Sequence, residues 1–221
     1  MSTTANNLAI HVAATNGAAT NGAVETAGVM PFEVWLRRDI EGPLTEWVNG
    51  EVIVFMSASI LHQRIVLFLA TLLNLFVSRN RMGTVCLAPA VMRAVAGGPG
   101  REPDLFVIVA DHLHRLEARQ LDGPADLVVE VVSDDSVTRD RVEKFSEYEA
   151  AGVREYWIVD PRPDHQRADF FVLDSSGRFQ SRPEDDEGCY RSSVLPGFWL
   201  QVEWLWDSDV DVAAAVDQIM A

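Results

Sequence analysis

Apolar positions along this chain fall into blocks whose period changes from one block to the next, and those changes predict the elements. The opening stretch 1–28 is Ala, Asn, Thr and Gly with few large apolar residues, and its ATNGAATNGA piece (14–23) nearly repeats itself. Such a composition cannot bury a core, so a disordered leader is expected there. Pro31 suits the first turn of a short helix, PFEVWLRRD (31–39). EWVNGEVIVFM (46–56) is two extended runs about an Asn-Gly pair, which predicts a hairpin. Ser57 or Ser59 can cap the next helix, which runs to about Arg79. Its apolar centre IVLFLATLLNLFV (65–77) is too short to span a bilayer and reads as a buried helix.

Beyond Gly83 the pattern shifts to short extended runs. TVCLAP (84–89), VMRAV (91–95) and EPDLFVIV (102–109) are strand candidates, with GGPG (97–100) as a turn and a polar loop at 110–125. DLVVEVVS (126–133) is unbroken apolar except for one acid, the mark of a strand covered on both faces. A helix is expected over 137–151, ended by Gly152, then a buried strand REYWIVDP (154–161). ADFFVLD (168–174) and RFQSR (178–182) form a second hairpin, and PGFWLQVEWLW (196–206) leads to a final alanine-rich helix. This order suits one α/β domain over 29–221, a mixed β-sheet flanked by helices.

Composition narrows the classes. The two cysteines, Cys86 and Cys189, give no disulfide framework and no metal-knuckle spacing, so a cytoplasmic location is expected, with no membrane partner. A net charge of −15 argues against binding to nucleic acid by bulk electrostatics. The charge is uneven, however. Residues 52–101 hold Arg64, Arg79, Arg81, Arg93 and Arg101 with no acid, whereas 184–221 hold nine acids against Arg191. The first segment is the candidate for contacts to a phosphate backbone.

Lys144 is the only lysine among eighteen basic residues, in a chain that otherwise takes arginine. It marks a place where a compact ammonium serves and a guanidinium fork does not. Asp104 opens one strand and Glu130 lies at the centre of another, flanked by Val128, Val129, Val131 and Val132. A carboxylate in that setting needs a metal, a cation or a proton. Paired strands would bring both acids together with the Val131 carbonyl as a third oxygen, a donor set for Mg2+ or Mn2+. Lys144 could then orient or deprotonate an attacking water, which is phosphodiesterase chemistry. Asp140, Lys144 and Tyr148 stand at i, i+4 and i+8, one stripe of the helix.

Taken in order, EPD, EVVS and RDRVEKFSEYEAAGVREYWIVDP resemble the PD-(D/E)XK nuclease superfamily, with its restriction-endonuclease-like fold. NGEVIVFMSASILHQ (49–63) extends the resemblance to a branch of uncharacterised bacterial proteins named for restriction endonucleases. The resemblance implies Asp104 and Glu130 as metal ligands, with Val132 in place of the motif lysine and Lys144 supplying that group from the helix. It implies Glu51 as an additional acid of the site, His62 and Tyr148 as recurrent substrate-side positions, DNA as substrate and a homodimer. SDDS (133–136) departs from the pattern by placing Asp134 and Asp135 near the phosphate path.

Two other readings remain open on the residues. One is a catalytically silent interaction module on the same fold; the other is an acid–base hydrolase in which Glu130 donates a proton without a metal. Replacing Lys144 with alanine is expected to abolish metal-dependent cleavage and leave the fold intact.

Overall fold

The computed structural model describes residues 25–38, 44–55, 59–134 and 136–221. The predicted leader therefore lies outside the described residues up to 24, and from Glu25 the chain is a strand. The elements run β1 (Glu25–Val29), α1 (Phe32–Leu36), β2 (Thr45–Val48), β3 (Glu51–Val54), α2 (Ile60–Arg79), β4 (Gly83–Leu87), β5 (Val91–Arg93) and β6 (Leu105–Val109). There follow β7 (Gln120–Asp122), β8 (Leu127–Val131), α3 (Phe145–Ala151), β9 (Glu155–Asp160), β10 (Arg167–Leu173), β11 (Phe179–Ser181), β12 (Cys189–Arg191), β13 (Trp199–Gln201) and α4 (Val212–Met220).

Six strands form the main sheet in the order β11-β10-β9-β8-β6-β4. Only the central β8–β9 pair is parallel; the others are antiparallel, so the sheet is mixed. Every residue of β8 and β9 is buried, as their continuous apolar runs require. The side chains divide by parity. Val129, Val131, Trp157 and Val159 face α2 and the C-terminal segment, while Val128, Val132, Tyr156 and Ile158 face α3.

Helix α2 covers the first face because Ile65, Phe68, Leu69, Leu72, Leu73 and Phe76 recur at helical spacing and are buried against the sheet. Ser59 starts it, its hydroxyl accepting from the His62 amide at 3.1 Å. By length and apolar composition alone α2 could cross a membrane; here half of that stretch is buried within the fold.

The hairpin forms where the Asn-Gly pair predicts it. Asn49 and Gly50 both take positive φ, 52° and 96°, which suits a two-residue turn with the twist of its strands. With β1 it makes a small sheet of order β1-β3-β2. Trp47 and Gly100 bridge this sheet to the body through paired backbone bonds of 2.9 and 2.8 Å. Two segments differ from expectation. The loop 110–125 contains a 3-10 turn, Ala110–Arg115, and β7, which pairs with β5. The helix predicted over 137–151 has a π-helical stretch, Arg139–Lys144, before α3.

Gly100 has no room for a side chain: a Cβ there would stand 2.7 Å from both Phe32 and Trp35. Gly100→Ala should cost about 1–3 kcal/mol through overpacking, read by urea unfolding. No loss would mean that the small sheet is not held at this bridge.

Candidate active site

Strands β6 and β8 pair with Leu105 opposite Val129. One further step along the ladder sets Asp104 opposite Glu130, on neighbouring strands and on the face toward α3. Asp104 Oδ2 accepts from the Val131 amide at 2.7 Å and meets His62 Nε2 at 3.2 Å. Its side chain is 15% exposed, the wettest of the cluster.

Glu130 is buried and spends one oxygen on two donors: Oε1 accepts from Lys144 Nζ at 2.9 Å and from the Tyr148 hydroxyl at 3.0 Å. The same ammonium lies 3.0 Å from Glu46 Oε1 and 3.4 Å from Asp140 Oδ1. Glu46 is held in turn by Arg101, Nη1 to Oε2 at 2.7 Å. Arg101 also binds Glu147, and the neighbouring Glu102 pairs with Arg38. A lysine thus stands at the centre of three buried carboxylates. The π-helical stretch delivers it, and the Tyr156 hydroxyl pins that stretch by donating to the Asp140 carbonyl at 3.0 Å. Departures of this kind from α-helical winding are frequent at functional sites.

The charges follow from this crowding. Burial alone would lower the Lys144 ammonium, yet Glu130, Glu46 and Asp140 hold it above the usual lysine range. Burial also pushes Glu46 up, but Lys144 and Arg101 outweigh it and the group is held below its ordinary value. Glu130 has no such second cation. Burial pushes it up to about 8 despite Lys144, and Asp140, Asp104 and Glu46 add to the rise. Asp140 is raised too, first by burial. For His62, burial is outweighed by Asp104 and the Val131 carbonyl, so the imidazole is raised.

Of the expected site residues, the structure brings together Asp104, Glu130, Lys144, His62 and Tyr148, and the Val131 carbonyl reaches the same place through His62. It does not bring Glu51 there. Glu51 pairs with Val48 beside the hairpin turn and is exposed. The acid that reaches the cluster is Glu46, two residues down the same face of the hairpin, about 7 Å toward the body. Both acids share one parity; the signal that separates them is distance from the turn, since the tip faces solvent and the base meets the sheet. Arg93 is also elsewhere: its guanidinium stacks over Phe32 at 3.8 Å and bonds the Gly98 carbonyl. Arg101, from the same arginine-rich segment, is buried inside the ion network. Of the departure at 133–136, Asp135 lies outside the described residues, and Asp134 points outward toward Arg162.

A divalent cation such as magnesium needs several hard oxygen donors with open positions around it. Glu46, Asp104, Glu130 and Asp140 face Lys144 and Arg101, an excess of carboxylate, and all are hard oxygen donors of the kind magnesium and manganese take. Asp140 Oδ1 is buried without a hydrogen-bond partner. Among the described residues no three such side chains converge on one point as they stand, because the ammonium occupies their centre. The residues fit the ion in donor type and charge.

A mixed sheet with helices on both faces and paired acids at a strand edge defines the restriction-endonuclease-like class. The family "Uma2: Putative restriction endonuclease" matches residues 32–203, and the chain belongs to it. Membership supports nuclease activity in general terms. A crystal structure titled as a putative nuclease belonging to DUF820, from Anabaena variabilis ATCC 29413, is similar to this fold with a TM-score of 0.62 at 17% identity, over 79% of this chain and 96% of that one. No curated protein matches the chain.

The raised acids set a pH dependence. Between about pH 4.5 and their raised values, near 8 for Glu130 and near 7 for Glu102, the folded protein holds protons that the unfolded chain has lost. Folding stability should therefore fall as pH rises through that window, by roughly 1.4 kcal/mol per pH unit for each group that differs. Asp140 and His62, both raised, act in the same direction. Urea unfolding at a series of pH values checks this, and a stability that rises between pH 5 and 8 would refute the assignment.

Proposed function

We propose that this protein is a metal-dependent endonuclease that hydrolyses phosphodiester bonds in DNA. The observation that carries the reading is the register of β6 against β8, which sets Asp104 opposite Glu130 with Lys144 beside them. Asp104, Glu130 and the Val131 carbonyl would hold Mg2+ or Mn2+. The bound ion would neutralise charge on the phosphate and lower the pKa of a water.

The chain's own residues then have distinct tasks. His62 fixes the Asp104 carboxylate through Nε2. Tyr148 and Lys144 fix the Glu130 carboxylate through Oε1. Lys144 is held protonated, so it serves as a fixed positive charge beside the site, not as the base that takes the proton. In a homodimer two such sites would address the two strands.

A second reading is favoured by one observation: Lys144 is already saturated by three acids and sealed from solvent, as in a silent member of the fold. The two readings differ in what a cation does. A nuclease must give up the Glu130 proton to bind it. Mn2+ affinity measured by calorimetry should then rise up to about tenfold per pH unit below pH 8, with about one proton released. Affinity independent of pH, or no binding, would favour the silent module.

The test of activity is cleavage of supercoiled plasmid with Mg2+ or Mn2+. Asp104→Asn should abolish it, by at least about a hundredfold, with the fold retained. Lys144→Ala is a poorer control than the sequence suggests. Removing the ammonium strands three buried carboxylates, at about 3–5 kcal/mol. Undiminished cutting by Asp104→Asn would sink the proposal.

A further inference from the structure

Three arginines that the sequence does not group lie together beyond Glu130. Along one row of the sheet, Glu130 pairs with Ile158 and Ile158 with Asp169. Asp169 therefore lies two strands from Glu130, about 10 Å, on the same face. Two rows further, and so on the same face, Asp160 pairs with Arg167. Asp169 binds Arg167 as a fork, at 2.8 and 2.9 Å, and takes Arg141 Nη1 at 2.7 Å. Asp160 binds Arg162 as a second fork, with both bonds at 2.9 Å.

The two acids sit beneath the cations. Asp160 is 3% exposed against 22% for Arg162, and Asp169 is 22% exposed against 59% for Arg167. Arg162 and Arg167 keep donors in reserve. Among the described residues no hydrogen bond engages Nη1 of Arg167, and Nη1 of Arg162 has a loose ion pair, at 3.8 Å, with Asp134, itself 96% exposed. Arg141 Nη2 is buried without a hydrogen-bond partner, although Asp160 stands 3.6 Å away. With Asp160, Asp164, His165 and Gln166 these three line an open cavity of about 360 Å³. Arg141 follows Asp140 directly, so one π-helical stretch carries both an acid of the Lys144 cluster and an arginine of this group.

We infer that Arg141, Arg162 and Arg167 form a landing for the phosphate backbone of the DNA strand whose scissile bond lies at Asp104 and Glu130; the inference rests on the nuclease reading above. Two guanidinium groups already held as forks, with Arg141 beside them, lose little freedom when a phosphate oxygen meets the remaining N–H groups of Arg162 and Arg167. Asp169, which holds Arg141 and Arg167, lies about 10 Å from Glu130, roughly three nucleotide rises along a strand. The face where the five arginines of 52–101 would bind is not this one: Arg101 is internal and Arg93 is stacked on Phe32.

The test uses the full chain and a short fluorescein-labelled DNA duplex, titrated by polarisation over a range of KCl without divalent metal. Arg162→Gln with Arg167→Gln should weaken binding about tenfold at low salt and reduce the slope of log affinity against log salt by about two. In cleavage assays KM should rise with kcat nearly kept. Thermal unfolding checks the fold; if the double variant is unstable, Arg167→Glu, at an exposed position, takes its place. Unchanged affinity and slope in a protein that still cuts would overturn the landing and leave the nuclease reading standing. Binding lost in the variant, with no cutting by either protein, would keep the landing and sink the nuclease reading. Poly-glutamate binding lost in the same variant, with duplex binding unchanged, would overturn the landing in favour of an acidic protein partner.

Discussion

One ammonium organises this protein. Lys144 bridges Glu46, Glu130 and Asp140, which come from the small sheet, the centre of the main sheet and the π-helical stretch. Without it, the three elements would present buried carboxylates to one another and repel. With it, they meet, and Arg101, Glu147, Arg38 and Glu102 extend the network to the base of the hairpin. A buried ion network of this size is seldom the most stabilising way to fill a core. It makes sense when the charges have work to do.

The imbalance within the network says which acid is poised. Glu46 has two cations and stays ionised, while Glu130 shares one cation with two competitors and holds its proton more tightly. Asp104 escapes the competition by lying at the wetter edge, with an amide and an imidazole as partners. Two carboxylates facing each other across one ladder step thus have different environments. Differences of that kind are what a site needs to bind a cation on demand.

Much of this was legible in the sequence. The runs at 126–133 and 154–161 announced buried central strands, and the Asn-Gly pair announced its hairpin. A lone acid among valines announced Glu130 as a group needing a partner. The lone lysine announced that partner. What stayed hidden depends on register and depth. Glu51 and Glu46 share a face of the hairpin, and only the position of the turn relative to solvent tells them apart. The π-helical winding at 139–144 leaves no mark in hydrophobic period, since Asp140 and Lys144 meet in either winding. The arginines 141, 162 and 167 are scattered between a helix, a turn and an edge of β10, and only the strand order collects them.

The bridge between Trp47 and Gly100 joins the hairpin that carries Glu46 to the body that carries Lys144. The polypeptide between those two ion partners includes α2 and six strands, so their meeting closes a very long loop. Pairings at such separation form late in folding because chain entropy opposes them until the rest is in place. On the ribosome, a chain that ends before Lys144 holds Asp104 and Glu130 but has no ammonium to set between the acids. The protein therefore carries its own delay: the centre cannot be completed until most of the molecule has been made and folded around it.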